Sequence, residues 1–492
     1  MLQNGNSKKM RSHFPLQVAF MLLVFIIFSF FYNEINIQKQ QQKQPLLNED
    51  DVIGGDGVAK VQQKLSSEEG ISKGTDDDEE GEEDNFPQPA ALVKQTLLPQ
   101  TSRAPLEPLD KSSTCTWTKE YTGRRVLGND AISTRREDPG DGGFNGEEEE
   151  EREGEECDFF SGRWVYDNTS YPLYNWQDCP YMSDQLACLK HGRPDSEYQH
   201  WRWQPHNCNL KRWNATEMWE KLRGKRLMFV GDSLNRGQWL SMVCLLQMVI
   251  PADKRLMTPQ AHLSSFHAEE YNSSIEFLWA PLLVESNSDH PVEHRVPQRI
   301  IRPDSTLRHS SQWKNADIVV FNSYVWWTQG PVNISWSDGE SGACEEIGGM
   351  GGMELALEAL TNWMALNFDY TNKRAFFMTM SPTHYEKERW DPANEGNCYG
   401  ETLPILKSHF KSGIHLPTME IVNKVVRKMN PKIQILNITQ LADYRKDGHP
   451  SSYRKFWEKL NPQANPADYS DCLHWCLPGV QDVWNQILFQ YF

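Results

Sequence analysis

Several shortages bound what this 492-residue chain can be. It has no basic surplus: 67 acidic side chains against 50 basic ones give a net charge of −17, which speaks against a nucleic-acid partner. It has little overall hydrophobicity, and a mean hydropathy of −0.66 excludes a polytopic membrane protein. It has no C-x-x-C pair, and Cys472 with Cys476 lacks the second pair that a zinc site requires. His262 and His267 have no metal-ligating company, so no metal is expected. There is no internal repeat and no phosphate-cradling loop. The run Gly348 to Gly352 follows Cys344 with no strand signal before it, which reads as a loop rather than a nucleotide or coenzyme site.

The charge that is present is unevenly spread. Residues 1–33 carry three basic and no acidic side chains. Residues 34–156 carry fourteen basic and thirty acidic ones, and residues 157–492 carry 33 and 37. The acidity therefore belongs to one segment, and the remainder is close to neutral. From Leu16 to Tyr32 run seventeen residues, all apolar or aromatic apart from Gln17 and Ser29. That length reaches the lower limit for a spanning helix, about 17 residues. Lys8, Lys9 and Arg11 precede it, which places residues 1–15 in the cytosol and the rest on the luminal side. No A-x-A-like cleavage site follows, so an uncleaved single-pass type II signal anchor is expected at 16–32. Its shortness suits an early-secretory or Golgi bilayer. Residues 33–156 hold a Gln/Lys tract, an acidic block at Asp76 to Asp84 and five Glu at 147–151, and read as a disordered acidic stem.

Nine of the ten Cys lie beyond residue 156, in keeping with an oxidising lumen. Five N-x-S/T sequons, at Asn168, Asn214, Asn272, Asn333 and Asn437, are glycosylation candidates there. Residues 157–213 are rich in Cys, Trp and Tyr without periodicity and read as a disulfide-stapled lobe. Residues 214–492 read as α/β. Leu227–Val230, Ile318–Phe321, Ala375–Met380 and Ile433–Leu436 are unbroken or nearly unbroken apolar runs, as buried parallel strands should be. Helical stretches lie between them, with clear ones at Ser233 to Ile250 and Glu354 to Leu366. Each strand run ends in polar residues, and such sheets bind ligands beyond their carboxyl ends.

Two motifs sit where chemistry is expected. Phe229-Val-Gly-Asp-Ser233 is a strand running through a Gly turn into a helix, which holds a Ser hydroxyl at a helix N-terminus where negative charge is favoured. The same residues would also serve as an ordinary N-cap. Asp471-Cys-Leu-His474 lies before a last helix at Val480 to Phe489, with the carboxylate spaced to orient the imidazole. Gly-Asp-Ser followed by a C-terminal Asp-x-x-His is the block order of the SGNH (GDSL-type) esterase fold, a three-layer α/β/α architecture with a parallel sheet. The wording narrows further. Cys157-Asp-Phe-Phe-Ser-Gly-Arg-Trp-Val, Trp201-Arg-Trp-Gln-Pro205, Val230-Gly-Asp-Ser-Leu-Asn-Arg236 and Asp471-Cys-Leu-His-Trp-Cys-Leu-Pro-Gly479 resemble the plant trichome-birefringence-like family, over about residues 155–492. Phe277 to Asp289 is similar to its xylan-acetylating branch.

The resemblance implies a Golgi polysaccharide O-acetyltransferase with an N-terminal membrane anchor, xylan as acceptor at O-2 or O-3, and no bound cofactor. The acetyl donor, acetyl-CoA or an acetylated intermediate, is left open. By position, Ser233 is the nucleophile, His474 the base and Asp471 its partner. The Ser233 N–H, Asn322 and Arg236 are the oxyanion candidates. Trp326 and Trp327, and then Trp239, are candidate sugar platforms, and Arg299 and Arg302 candidates for an acidic sugar substituent. As hypotheses, Cys157 pairs with Cys208, Cys179 with Cys244, Cys188 with Cys476 and Cys398 with Cys472, leaving Cys115 and Cys344 over. An acetyl esterase with the same triad, and a non-catalytic wall-polysaccharide-binding protein, are the competing readings.

Overall fold

The computed structural model describes residues 109–115, 157–259, 262–305, 307–336, 344–407, 410–429, 432–456 and 463–492, and no side chains at 307 and 308. The expected anchor at 16–32 and most of the stem lie outside the described residues. Among the described residues no helix is long and apolar enough to cross a membrane.

The lobe opens with a two-stranded antiparallel ribbon, β1 (Gly162–Tyr166) and β2 (Trp201–Pro205). Period-2 alternation sends Trp164 and Trp203 to one face, edge to face at 5.5 Å, and Arg163, Val165, Arg202 and Gln204 to the other. After helix α1 (Ala215–Leu222), capped by the Asn214 side chain, the chain enters the main sheet. Its strands are β3 (Arg226–Gly231), β4 (Arg255–Thr258), β5 (Leu263–Ala268), β6 (Ser273–Trp279), β9 (Ile318–Asn322), β12 (Arg374–Met378) and β13 (Ile433–Leu436), with β3 followed at once by helix α2 (Ser233–Gln247). A smaller sheet, β7 (Glu285–Ser286), β8 (Ile300–Arg302), β10 (Val332–Ile334) and β11 (Glu345–Ile347), sits beside it.

The main sheet runs β13-β12-β9-β3-β6-β5-β4. Neighbours from β13 to β6 are parallel, as expected from sequence, and β5 and β4 add an antiparallel edge, so the parallel sheet is corrected to a mixed one. The parallel strands were legible because they are buried throughout. β6 was hidden by Ser273, Ser274 and Glu276, which are nonetheless buried: Glu276 is satisfied by Arg226 at 2.7 and 2.9 Å and by Ser274 at 2.5 Å. Phe229, Phe266, Phe321, Phe377, Trp219 and Trp313 are fully buried between sheet and helices, each contributing on the order of 2–3 kcal/mol of apolar transfer.

The Gly348–Gly352 run, read as a loop with no strand before it, follows β11 and opens helix α3 (Gly349–Asn367). A Cβ at Gly349 would lie 1.9 Å from the Trp327 carbonyl oxygen and one at Gly352 2.5 Å from Val332, so the glycines let this helix press on the body. Helices α4 (Leu416–Val425) and α5 (Thr439–Asp443) follow, and α6 (Val480–Phe489) ends the fold against α2. There Gln481 donates to the Leu234 carbonyl and Asn485 to the Gln238 carbonyl, each at 2.9 Å.

All ten Cys are bonded: Cys157–Cys208, Cys179–Cys244, Cys188–Cys476, Cys398–Cys472 and Cys115–Cys344. The last pair corrects the extent of the stem. Leu109 is buried and its N–H donates to Glu285 at 2.9 Å, so residues 109–115 rest on the body.

Candidate active site

β3 delivers the Gly-Asp-Ser turn to the carboxyl edge of the sheet. Gly231 is required because a Cβ there would lie 2.1 Å from the Asn322 carbonyl oxygen. Asp232 is the N-cap of α2, its Oδ1 accepting the Leu234 N–H at 2.9 Å. Burial pushes its carboxyl up to about 6, against the pull of that N–H and of His474. Ser233 is then the first residue of α2, partly exposed, where backbone N–H groups have no intrahelical acceptor.

The C-terminal loop brings the other groups. His474 Nε2 lies 2.8 Å from Ser233 Oγ, and its Nδ1 lies 2.8 Å from Asp471 Oδ2. The other carboxylate oxygen of Asp471 accepts the N–H groups of His474 (3.0 Å) and Leu473 (3.1 Å), folding the loop around it. A carboxylate only accepts, so it fixes the proton on Nδ1 and leaves Nε2 to take one from the Ser233 hydroxyl. Burial alone would raise the Asp471 pKa. The charge of His474, the ring and backbone hydrogen bonds, and Arg454 with its Nε 3.7 Å away outweigh that and hold it well below the usual carboxylate range. Ser, His and Asp thus form one hydrogen-bonded line able to make an alkoxide-like nucleophile and hold the resulting imidazolium.

The surroundings pin this line. Cys472 and Cys476, flanking His474, are tied to Cys398 and to Cys188 of the lobe. Asp471 and Ser451 exchange two backbone hydrogen bonds at 3.0 Å. Arg193, a buried lobe residue, donates to the carbonyls of His449 (2.9 Å) and Asp447 (2.7 Å) beneath the loop. Gln185, also from the lobe, sets its amide nitrogen 3.4 and 3.5 Å from the two ring nitrogens of His474. Both nitrogens are already committed, so this amide lies across the ring. Gln185, Arg193 and Arg454 were missed by the sequence reading, since no spacing links them to Asp471-x-x-His474.

Several expected site residues prove structural. Asn322 is buried and its Nδ2 donates to the carbonyls of Met378 (3.0 Å) and Thr379 (3.3 Å), so its donors are spent inside the sheet rather than at Ser233. Trp327, 2% exposed, donates to Ser323 Oγ, and Trp239 donates to the Ile275 carbonyl; both are core. Trp326 is 8% exposed and packs edge-on against Trp279 at 6.0 Å, which leaves no face for a sugar. Arg299 donates to the carbonyls of Trp326 and Gly330, and Arg302 pairs with Glu285 at 3.1 Å. Neither faces an acidic substituent. Asn333 is buried in β10 and donates to the Arg299 carbonyl, which removes it as a glycan acceptor. Arg236 differs: one turn beyond Ser233, its guanidinium makes no hydrogen bond or ion pair among the described residues, and desolvation lowers its pKa.

The burial of Asn322 has a measurable consequence. Asn322→Ala is expected to lower stability by about 1–3 kcal/mol, because two buried carbonyls lose their donor. The rate constant of the folded protein should hold, without the loss of about 10²–10³ that follows removal of an oxyanion donor. Thermal unfolding measured beside kcat separates the two.

Residues 210–491 match the model of the GDSL/SGNH-like acyl-esterase family found in Pmr5 and Cas1p, and residues 155–209 match the PMR5 N-terminal domain. The chain is similar to protein trichome birefringence-like 35 of Arabidopsis thaliana, 59% identical over 389 residues that cover 78% of this chain and 84% of that protein. It is 47% identical to Arabidopsis thaliana trichome birefringence-like 34 over 348 residues, 69% of this chain and 85% of that one. Xylan O-acetyltransferase 13 of Oryza sativa subsp. japonica is 46% identical over 367 residues, 72% of each chain.

Proposed function

The chain belongs to the trichome-birefringence-like family, in its xylan O-acetyltransferase branch, and on that premise we propose that it moves acetyl groups onto xylan hydroxyls by double displacement at Ser233. The observation that carries the reading is the Ser233–His474–Asp471 line, with 2.8 Å at each junction.

His474 Nε2 takes the Ser233 proton as Oγ attacks the carbonyl carbon of the acetyl donor. The donors proposed for the tetrahedral oxyanion are the Ser233 N–H at the start of α2 and the Arg236 guanidinium one turn on, which is unpaired among the described residues. Collapse expels the donor's leaving group, which receives the proton from His474, and leaves acetyl-Ser233. A xylosyl hydroxyl, O-2 or O-3, then gives its proton to His474 and attacks the acetyl carbon, and Ser233 is regenerated. The donor is acetyl-CoA or an acetylated intermediate. The site of action is the Golgi lumen, behind an anchor at 16–32.

Full-length protein is incubated with acetyl-CoA and deacetylated xylo-oligosaccharides, and the sugars are read by mass spectrometry. Products heavier by one acetyl group are expected. Acetate release from acetylated xylan, with no acetylated sugar formed from any donor, would instead make the protein an esterase, with water as second nucleophile.

A further inference from the structure

Behind the catalytic loop lie two imidazoles that the triad does not use. His384, after β12, is 2% exposed, and His449, after a short 3₁₀ turn at Lys446–Gly448, is 1% exposed. His449 Nδ1 lies 2.7 Å from the carbonyl oxygen of His474, His449 Nε2 lies 2.7 Å from His384 Nδ1, and His384 Nε2 lies 2.9 Å from the carbonyl oxygen of Asp443. The chain of contacts therefore begins and ends on carbonyl oxygens, which can only accept. Three hydrogen bonds need three protons, and two neutral imidazoles carry two. In a neutral pair one contact sets lone pair against lone pair within hydrogen-bond distance.

We propose that His384 and His449 hold one extra, shared proton and act together as positioning residues for His474. This rests on the reading of His474 as the base. Their surroundings admit one positive charge at most. His449 stacks on the Trp475 indole, with ring centres 4.1 Å apart and planes at 26°, and His384 meets Trp390 edge-on at 5.5 Å. Burial takes His384 down to about 4 and, with the like charge of His384, takes His449 well below its ordinary value; desolvation thus opposes any charge here and excludes two, and it is the three hydrogen bonds closed on two carbonyls that call for one. The charged groups around the pair are few. Asp447 favours the charge but is itself paired with Arg445 at 2.9 Å, and Asp471 favours it from the triad. Arg389 and Lys446 oppose it at His384, and His474 opposes it at His449. The Asp443 carboxylate is turned away, onto Ser412 Oγ at 2.5 Å and the Gly413 N–H at 3.0 Å.

One consequence for His474 follows. The hydrogen bond to its own carbonyl fixes its backbone one residue from Trp475, which the same imidazole stacks upon.

The test uses full-length protein with His384→Gln and His449→Gln, which keep a donor amide but cannot hold the proton. The acylation burst with p-nitrophenyl acetate is followed against pH, and thermal unfolding reports folding. Loss of the shared proton opens the hydrogen-bond line beneath the His474 carbonyl, so the burst rate should fall by about tenfold or more across the pH range while the unfolding temperature stays close to wild type. An unchanged burst rate in both folded variants overturns the proposal. Nitrogen-15 NMR of the wild-type histidines reads the pair directly and does not depend on activity: two rings joined by one shared proton support the proposal, and two separate neutral tautomers at the pH of the assay overturn it. That spectrum decides if a variant fails to fold, and also if wild type gives no burst, an outcome that would count against the Ser233 mechanism alone.

Discussion

Ser233→Ala should reduce acetyl transfer by about 10⁴- to 10⁶-fold, the loss seen when a triad nucleophile acting as part of a unit is removed. Among the described residues Ser233 Oγ meets only His474, while the cap of α2 belongs to Asp232, whose Oδ1 binds the Leu234 N–H. The unfolding temperature should therefore stay close to that of wild type. Measuring transfer to xylo-oligosaccharide and thermal unfolding on the same preparation checks both. A variant that folds normally and still acetylates the sugar at more than a small fraction of the wild-type rate would remove Ser233 from the chemistry, and with it the double displacement.

The largest effect on stability is expected at Cys188–Cys476, which joins residues 288 apart. Replacing both by Ser should cost about 2–5 kcal/mol, chiefly by freeing the unfolded chain. The loss should reach the chemistry as well. Cys476 lies two residues from His474, its N–H donates to the Gly448 carbonyl at 2.9 Å, and Leu477 N–H donates to Leu186 of the lobe at 3.0 Å. Loosening that seam widens the range of His474 positions, and an error of about 1 Å can cost 10²-fold in rate. Denaturant unfolding with kcat on the folded fraction tests this. If stability falls while kcat holds, the hydrogen bonds around Asp471 suffice to place His474, and the cystine is only a staple.

The chain announced some of this and concealed the rest for physical reasons. The strands nearest the chemistry were legible because parallel strands with helices on both sides must be apolar throughout, and Leu227–Val230 and Ile318–Phe321 are. The antiparallel edge was not. β4 and β5 alternate weakly, and the polar run at Ser273 to Glu276 is buried only because Arg226, on the neighbouring strand, meets Glu276. The Ser233–His474–Asp471 line was readable because Gly-Asp-Ser and Asp-x-x-His impose local geometry that survives as spacing. Sugar-binding residues were not readable. Trp326 and Trp327 follow a strand end, but whether an indole faces a cleft or the core is decided by contacts from elsewhere, here Trp279 and Ser323. The same holds for Asn322, whose donors are taken by β12 and the residue that follows it, and for Arg302, whose carboxylate partner lies seventeen residues back in sequence. Histidines that differ by 65 positions, such as His384 and His449, share no local signature at all.

The placement of Ser233 and His474 at opposite ends of the folded region also sets a timetable. A growing chain makes β3 and α2, with the hydroxyl in place, long before its imidazole partner exists, because Asp471 and His474 come late in the folded region and are braced by α6 behind them. They are held in register by cystines reaching back to the lobe and to Cys398, which form only under oxidising conditions. An unfinished or unoxidised chain would carry a serine with no base held beside it. Competence to react with an acetyl donor would then arrive at the final step of maturation, so the finished covalent framework itself acts as the licence for chemistry.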